Sequence, residues 1–320
     1  MPLELYRPVG IINDDYHRCL FNSLSSGNGE TTILPKILVT GAPGNVGSEV
    51  VKGLMGLVPI RIGAHETERA REAFGDNPGY EFVHFDFLDS STYGPAFTGI
   101  EKMLLVRPPA LANVKRDIAP ALQAAKQAGV THIVFLSIQG VEQNRMVPHY
   151  KIEKAILALG FTYTFLRASF FMQNLSTTHL SEIRDHGVIS VPVGEARTSF
   201  IDVRDIAAVA VCALTESGHE NKIYTLTGSE ALDYYQLSNT MAAELGRPIR
   251  YTNPSVIGFI RNQVSAGRAM GFTLVMAGLY TITRFGNARE VTSDVRRILG
   301  REPITLGQFV HDYHMSWQNR

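Results

Sequence analysis

Long hydrophobic runs are missing from this chain of 320 residues. No stretch reaches the roughly 18 apolar residues of a membrane span, and the nearest, Ala269 to Ile282, is short and interrupted by Gly271 and Gly278. Cysteine is scarce as well. Cys19 and Cys212 have no metal-ligand spacing and are a weak basis for a disulfide, so no metal is expected and two free thiols in a reducing cytoplasm are. Net charge is absent: Lys plus Arg and Asp plus Glu each number 30, so nothing draws the chain to a phosphate backbone and no nucleic-acid partner is expected. Residues 1–35 lack the basic start and apolar core of a secretory leader, and Asp14, Asp15 and His17 break them up. No membrane partner is expected either. The extension carries Leu5, Tyr6, Ile11, Ile12, Leu20 and Phe21, apolar surface suited to packing on the rest of the chain or on a second subunit, so a homodimer is open.

What is present is concentrated between Lys36 and Val58. Ile37-Leu38-Val39 is a continuous apolar run, the pattern of a strand buried on both faces in a parallel sheet. Gly41, Gly44 and Gly47 follow, and Val46, Val50, Leu54 and Val58 then recur every four residues as the inner stripe of a helix. Strand, glycine turn and helix opening in that order are the context in which such a motif predicts a dinucleotide site. The turn lets backbone approach a pyrophosphate, and the helix N-terminus turns free N–H groups and partial positive charge toward it. Gly41, Pro43, Gly44, Asn45, Val46 and Gly47 are the cofactor residues this predicts.

Further strands are expected over 59–65, 80–87, 103–106, 132–137 and 162–168, with helices over 111–128 and 149–159 between the later ones. That β-α order is a Rossmann-type, doubly wound parallel α/β sheet, whose ligands lie beyond the carboxyl ends of the strands. His65 and Arg61 fall near the point, about 20 residues past the motif, that reads the adenosine ribose. Basic groups there favour a 2′-phosphate and Glu66 opposes one, so NADP(H) is favoured over NAD(H). Asp86 is expected to accept from the adenine with Phe87 beside the ring, and Arg107, Pro108 and Ser137 stand at the later strand ends. Asp205 reads as the N-cap of an apolar helix. The remainder, from about 170–200 and 230–320, reads as a smaller substrate lobe, with Phe170, Phe171 and Asn174 shaping the acceptor site.

Gly41-x-x-Gly44-x-x-Gly47, FLSIQGVE at 135–142, the block at 149–175, TSFIDVRDIA at 198–207 and the block at 291–310 resemble the NmrA-like branch of the atypical short-chain dehydrogenase/reductases. The resemblance spans about 36–316. It implies an NAD(P)H-dependent reductase of small conjugated acceptors such as quinones, dyes, enones or imines, or else a dinucleotide-sensing regulator that binds a protein partner. Tyr150 and Lys154 match the Tyr-x-x-x-Lys pair of typical short-chain dehydrogenases, which leaves carbonyl reduction as a third reading. Aligned on the branch's own phrase, however, the lysine position falls on His149, its partner acid on Glu153 and the tyrosine position on Arg145. His149 is then expected to hold the nicotinamide ribose or to donate a proton from an imidazole of ordinary pKa, near 6.5.

Overall fold

The computed structural model describes residues 35–318. Among these residues nine strands form two sheets: β1 (Ile37–Thr40), β2 (Ile60–Ala64), β3 (Tyr80–His84), β4 (Lys102–Leu105), β5 (His132–Ile138), β6 (Thr162–Ala168), β7 (Val188–Ser190), β8 (Lys222–Leu226) and β9 (Arg250–Thr252). Seven of them pair in the order β3-β2-β1-β4-β5-β6-β8, and every pairing is parallel. The doubly wound expectation is therefore met. The order reverses between β1 and β4, which opens the ligand crevice next to the glycine turn.

Alternation along the strands builds two cores. Ile37 and Val39 of β1 point to one face, where Val50 and Leu54 of the first helix and Ile206 and Val209 of the helix Val203–Thr215 cover them. Leu38 points to the other face, into a cluster with Met103, Phe97, Phe135 and Phe165. A third cluster lies off the sheet and includes Val191, Tyr234, Phe259, Phe309 and Trp317. It forms the smaller lobe, to which the two-stranded β7-β9 sheet belongs.

Several expectations shift locally. β3 ends at His84, so Phe85, Asp86 and Phe87 lie beyond the strand. The helix expected over 111–128 is two helices, Val114–Asp117 and Ala119–Gln127. Pro120 explains the break, because it has no N–H to donate to the carbonyl four residues back and its ring crowds that group. Asp205 is not an N-cap. Asp202 is the cap of Val203–Thr215 and accepts from Arg204 N at 2.8 Å. Asp205, fully buried, instead accepts from Arg301 at 2.7 Å and from Ile304 N at 2.8 Å. Asp205 thus holds a late segment of the chain against the helix that covers the sheet.

Asp202 is the more exacting of the two. It is fully buried and also accepts from Gln173 Nε2 at 2.7 Å and from Arg204 Nη2 at 2.7 Å, while Arg204 reaches on to Asp312 at 2.6 Å. Asp202→Ala removes these acceptors and strands the Gln173 amide in the interior. Loss of about 3–5 kcal/mol of unfolding free energy is expected, measured by urea denaturation.

Candidate active site

The turn after β1 is shaped by what cannot fit in it. Gly41 adopts φ +67°, and a Cβ there would stand 2.9 Å from Cβ of Val106 on the neighbouring strand end. A Cβ on Gly47 would meet the Gly41 carbonyl oxygen at 2.4 Å, so the helix can start this close to the turn only with glycine. Thr40 ties the turn down: its hydroxyl donates to Leu104 O at 3.0 Å and accepts from Val106 N at 2.9 Å. The helix Asn45–Leu54 then begins at Gly44 without a side-chain cap and without an acid in its first turn. Its first backbone bond of the helical kind is Ser48 N to Gly44 O, which leaves the N–H groups of Asn45, Val46 and Gly47 directed out of the helix end. Pro43, Gly44 and Asn45 are exposed there. An uncapped helix opening beside a turn with no room for side chains fits a pyrophosphate.

The adenosine side departs from expectation at two residues. Arg61 is not a ligand for the 2′-phosphate. It lies near the amino end of β2, is buried, and donates to Ala96 O at 3.1 Å, to Thr98 O at 2.7 Å and to both oxygens of Glu81 at 3.0 Å. Strand direction explains this, since the crevice lies at the other end. Phe87 also leaves the crevice: it is buried with its ring 4.7 Å from that of Phe85, while Leu88 is exposed. Asp86 remains at the edge, with one oxygen accepting from Leu88 N at 2.8 Å and the other 3.6 Å from Nε2 of exposed His65. Arg69, exposed in the first turn of the helix Thr67–Phe74 that follows β2, is a basic group at this edge beyond those expected. Its signal in the sequence was its place in that first turn, directly after the second strand.

On the side expected for the nicotinamide, Arg107 folds back on its own loop, donating through Nη1 to Pro108 O, Pro109 O and Leu111 O at 2.9–3.0 Å. Its Nε is buried with no acceptor among the described residues. Pro108 is thus fixed by the side chain before it. Ser137 does not offer its hydroxyl to the crevice. It is buried and donates to Glu153 at 2.7 Å, and Arg167 binds the same carboxylate at 2.8 and 3.1 Å. Glu153 consequently pairs with Ser137 and Arg167, and not with His149 as the family register implied.

His149 opens the helix Pro148–Ala158 and stacks on Phe135, ring centroids 6.0 Å apart. Burial, reinforced by the nearby positive charge of Arg107, pushes its pKa down to about 3. This corrects the expectation of an imidazole with an ordinary pKa, because the ring stays neutral at pH 7. Tyr150 and Lys154 lie on the other side of that helix from buried Ile152, Glu153 and Ile156, with Lys154 Nζ 5.4 Å from the tyrosine ring. Phe170 stacks on Tyr280 of the lobe at 6.2 Å, Phe171 forms a backbone bridge with Ile201, and Asn174 closes the short turn Met172–Asn174. All three follow the carboxyl end of β6, where sheet and lobe meet.

A doubly wound sheet, a glycine turn at its reversal and a lobe at the strand ends define a dinucleotide-binding protein. Residues 35–290 match the NmrA-like family, and the chain belongs to that family. It is 32% identical over 278 residues to the NAD(P)H azoreductase of Xenophilus azovorans, a match covering 85% of this chain and 96% of the relative. The triphenylmethane reductase of Citrobacter sp., solved with NADP(H), is similar at a TM-score of 0.77 and 26% identity, covering 88% of this chain and 99% of that one. The NADPH-dependent quinone oxidoreductase of Escherichia coli, solved with NADPH, gives 0.78 and 25%, covering 87% and 99%.

Two outcomes follow from this geometry. Gly47→Ala forces the helix away from the turn, and dinucleotide affinity should fall at least tenfold in a fluorescence titration. Below pH 6.5 the unfolded chain takes a proton that folded His149 refuses until about pH 3. Stability should therefore drop on acidification across that window, by at most about 1.4 kcal/mol per pH unit from this group. His149→Gln should flatten the drop in urea denaturation at stepped pH.

Proposed function

We propose that the protein is an NAD(P)H-dependent reductase that transfers hydride to a small conjugated acceptor of the quinone or dye class, with NADP(H) as its cofactor. The observation that carries this reading is the uncapped helix opening over a turn that only glycine can form, within a family whose similar members include azo, triphenylmethane and quinone reductases. In this reading Gly41, Pro43, Gly44, Asn45, Val46 and Gly47 hold the pyrophosphate, and His65, Asp86 and Arg69 face the adenosine end. Arg107, Pro108 and His149 line the nicotinamide end, with Phe170, Phe171 and Asn174 across from them. Bound NADPH supplies the hydride; the chain supplies position and exclusion of water.

Quinonoid, azo and cationic dye acceptors suit a site without a dedicated acid. Hydride transfer to them delivers charge onto a conjugated framework that tolerates it, and water can complete protonation afterwards. Neutral His149 can donate an N–H hydrogen bond to a ribose hydroxyl or to the reduced acceptor, but it has no imidazolium proton to give at pH 7. Carbonyl reduction by Tyr150 and Lys154 is disfavoured by their place on the outer side of their helix. Among the described residues no helix is long and apolar enough to cross a membrane. Buried Cys212 is a thiol, which suits a reducing cytoplasm.

The test is NADPH and NADH oxidation by the purified chain against quinones, azo dyes, triphenylmethane dyes and simple ketones. Turnover with a conjugated class, NADPH preferred, and rates within twofold of the parent for Tyr150→Phe are expected. Tight dinucleotide binding with no turnover across the panel would instead indicate a sensor. A hundredfold loss in Tyr150→Phe would restore the carbonyl-reductase reading.

A further inference from the structure

The lobe carries an apolar surface that none of the described residues covers. The helix Met270–Arg284 packs one side inward through Thr273, Met276, Ala277, Tyr280 and Thr283, which recur at helical spacing. Its outer side holds Phe272, Leu274, Val275, Leu279 and Ile282, all exposed, and Phe285 follows at 78% exposure. With Ile257 and Met270 these make eight of the sixteen exposed large apolar side chains among the described residues, drawn from only 29 consecutive positions. A helix apolar on both sides is ordinarily interior. An exposed patch of this kind marks a surface that meets something.

Charge indicates what it meets. Although the whole chain is neutral, residues 245–289 contain Arg247, Arg250, Arg261, Arg268, Arg284 and Arg289 and no Lys, Asp or Glu. Arg261, Arg284 and Arg289 are exposed and form no ion pair among the described residues. Arg261 lies one helical turn from exposed Ile257 on the helix Val256–Ser265, which packs against Met270–Arg284. Arg284 and Arg289 flank Phe285 at the other end. The result is an apolar plateau with cations at both ends and no acid between them in the sequence, the exposed Glu195 and Glu290 lying beyond its Arg284–Arg289 end. A second copy of the chain docked here by a two-fold axis would bring these arginines together with no acid from residues 245–289 to neutralise them.

We propose that this face docks on an anionic lipid surface. The apolar side chains would enter the boundary between headgroups and acyl chains, and Arg261, Arg284 and Arg289 would meet the lipid phosphates or carboxylates. A contact of this kind needs no spanning helix. It is also independent of the reaction proposed above, since it is measured without cofactor or acceptor.

The full chain would be floated with vesicles of phosphatidylcholine alone and of phosphatidylcholine with 30% phosphatidylserine, at low and at 0.5 M salt. Binding to the anionic vesicles at least tenfold above the neutral ones, weakened by salt, is expected. Val275→Asp with Ile282→Asp should abolish it, and Arg261→Gln with Arg289→Gln should reduce it at least fivefold. Both pairs lie on the exposed surface, and unchanged circular dichroism and dinucleotide binding would show that the fold survives. No flotation at either composition would overturn the proposal. So would a dimer in sedimentation equilibrium that the aspartate pair dissociates, which would assign the face to a second copy. Cross-links from this face to residues 1–34 within one chain, undisturbed by vesicles, would overturn it in favour of that segment.

Discussion

The crevice depends on a tight approach of backbone to backbone, where the first helix begins over the turn that precedes it. The Gly41 carbonyl occupies the space a side chain at Gly47 would need, and the end of β4 occupies the space beside Gly41. Everything at the crevice is referred to this contact. It sets how near the helix N-terminus comes to the strand ends and hence where a phosphate can be bound by N–H groups alone. It also requires β1 and β4 to stay side by side, which the Thr40 hydroxyl secures by bonding at once to Leu104 and Val106. The energetic gain of a wider turn is given up in return for exposed donors, a common exchange where function needs unsatisfied polar groups.

A second set of contacts ties late segments of the chain to the helix that covers the sheet, and it is made of buried charge. Asp202 gathers Gln173, Arg204 N and the Arg204 guanidinium, which carries on to Asp312, while Asp205 gathers Arg301 and Ile304 N. Burial pushes the Asp205 carboxyl up to about 6, and Arg301 pulls against that rise. Burial likewise works against the Arg204 charge, yet its bonds to Asp202 and Asp312 hold it firmly protonated. Such pairs add little net stability beyond what an apolar core would, because desolvation consumes most of the attraction. Their directionality gives them a different use. Four segments distant in sequence, around 173, 204, 301 and 312, meet in one geometry, and Phe170, Phe171 and Asn174 are carried by the first of them.

The chemistry of the site follows from what surrounds each ionisable group. The same polypeptide that keeps Arg107 curled on its own loop also desolvates His149 and places a cation near it, so the histidine is neutral. Glu153, which could have recharged that histidine, is occupied by Ser137 and Arg167. On the proposed reading, a site arranged this way would bind and orient a reduced dinucleotide without a strong proton donor beside it. That combination suits acceptors whose reduction is governed by hydride transfer and whose proton can come from water.

The chain's own pattern was sufficient for the sheet and for one end of the site. Apolar runs such as Ile37-Leu38-Val39 can only be interior parallel strands, and the spacing of Gly41, Gly44 and Gly47 before a four-residue apolar stripe names the turn and the helix opening, because both signals are local and steric. Side-chain direction was another matter. Arg61 near the start of β2 and His65 just past its end stand only four residues apart, yet strand polarity sends one to the buried amino end and the other to the crevice edge. Asp205 reads as the cap of its helix in the sequence, yet Asp202 caps it and Asp205 turns to Arg301 and Ile304, a division set by the packing of the late chain against that helix. The charge state of His149 was likewise invisible in the sequence, since it depends on how far the ring is taken from water and on a cation some forty residues earlier. Local sterics are written in neighbouring residues, whereas polarity of packing and the dielectric around a charge exist only once distant segments have met.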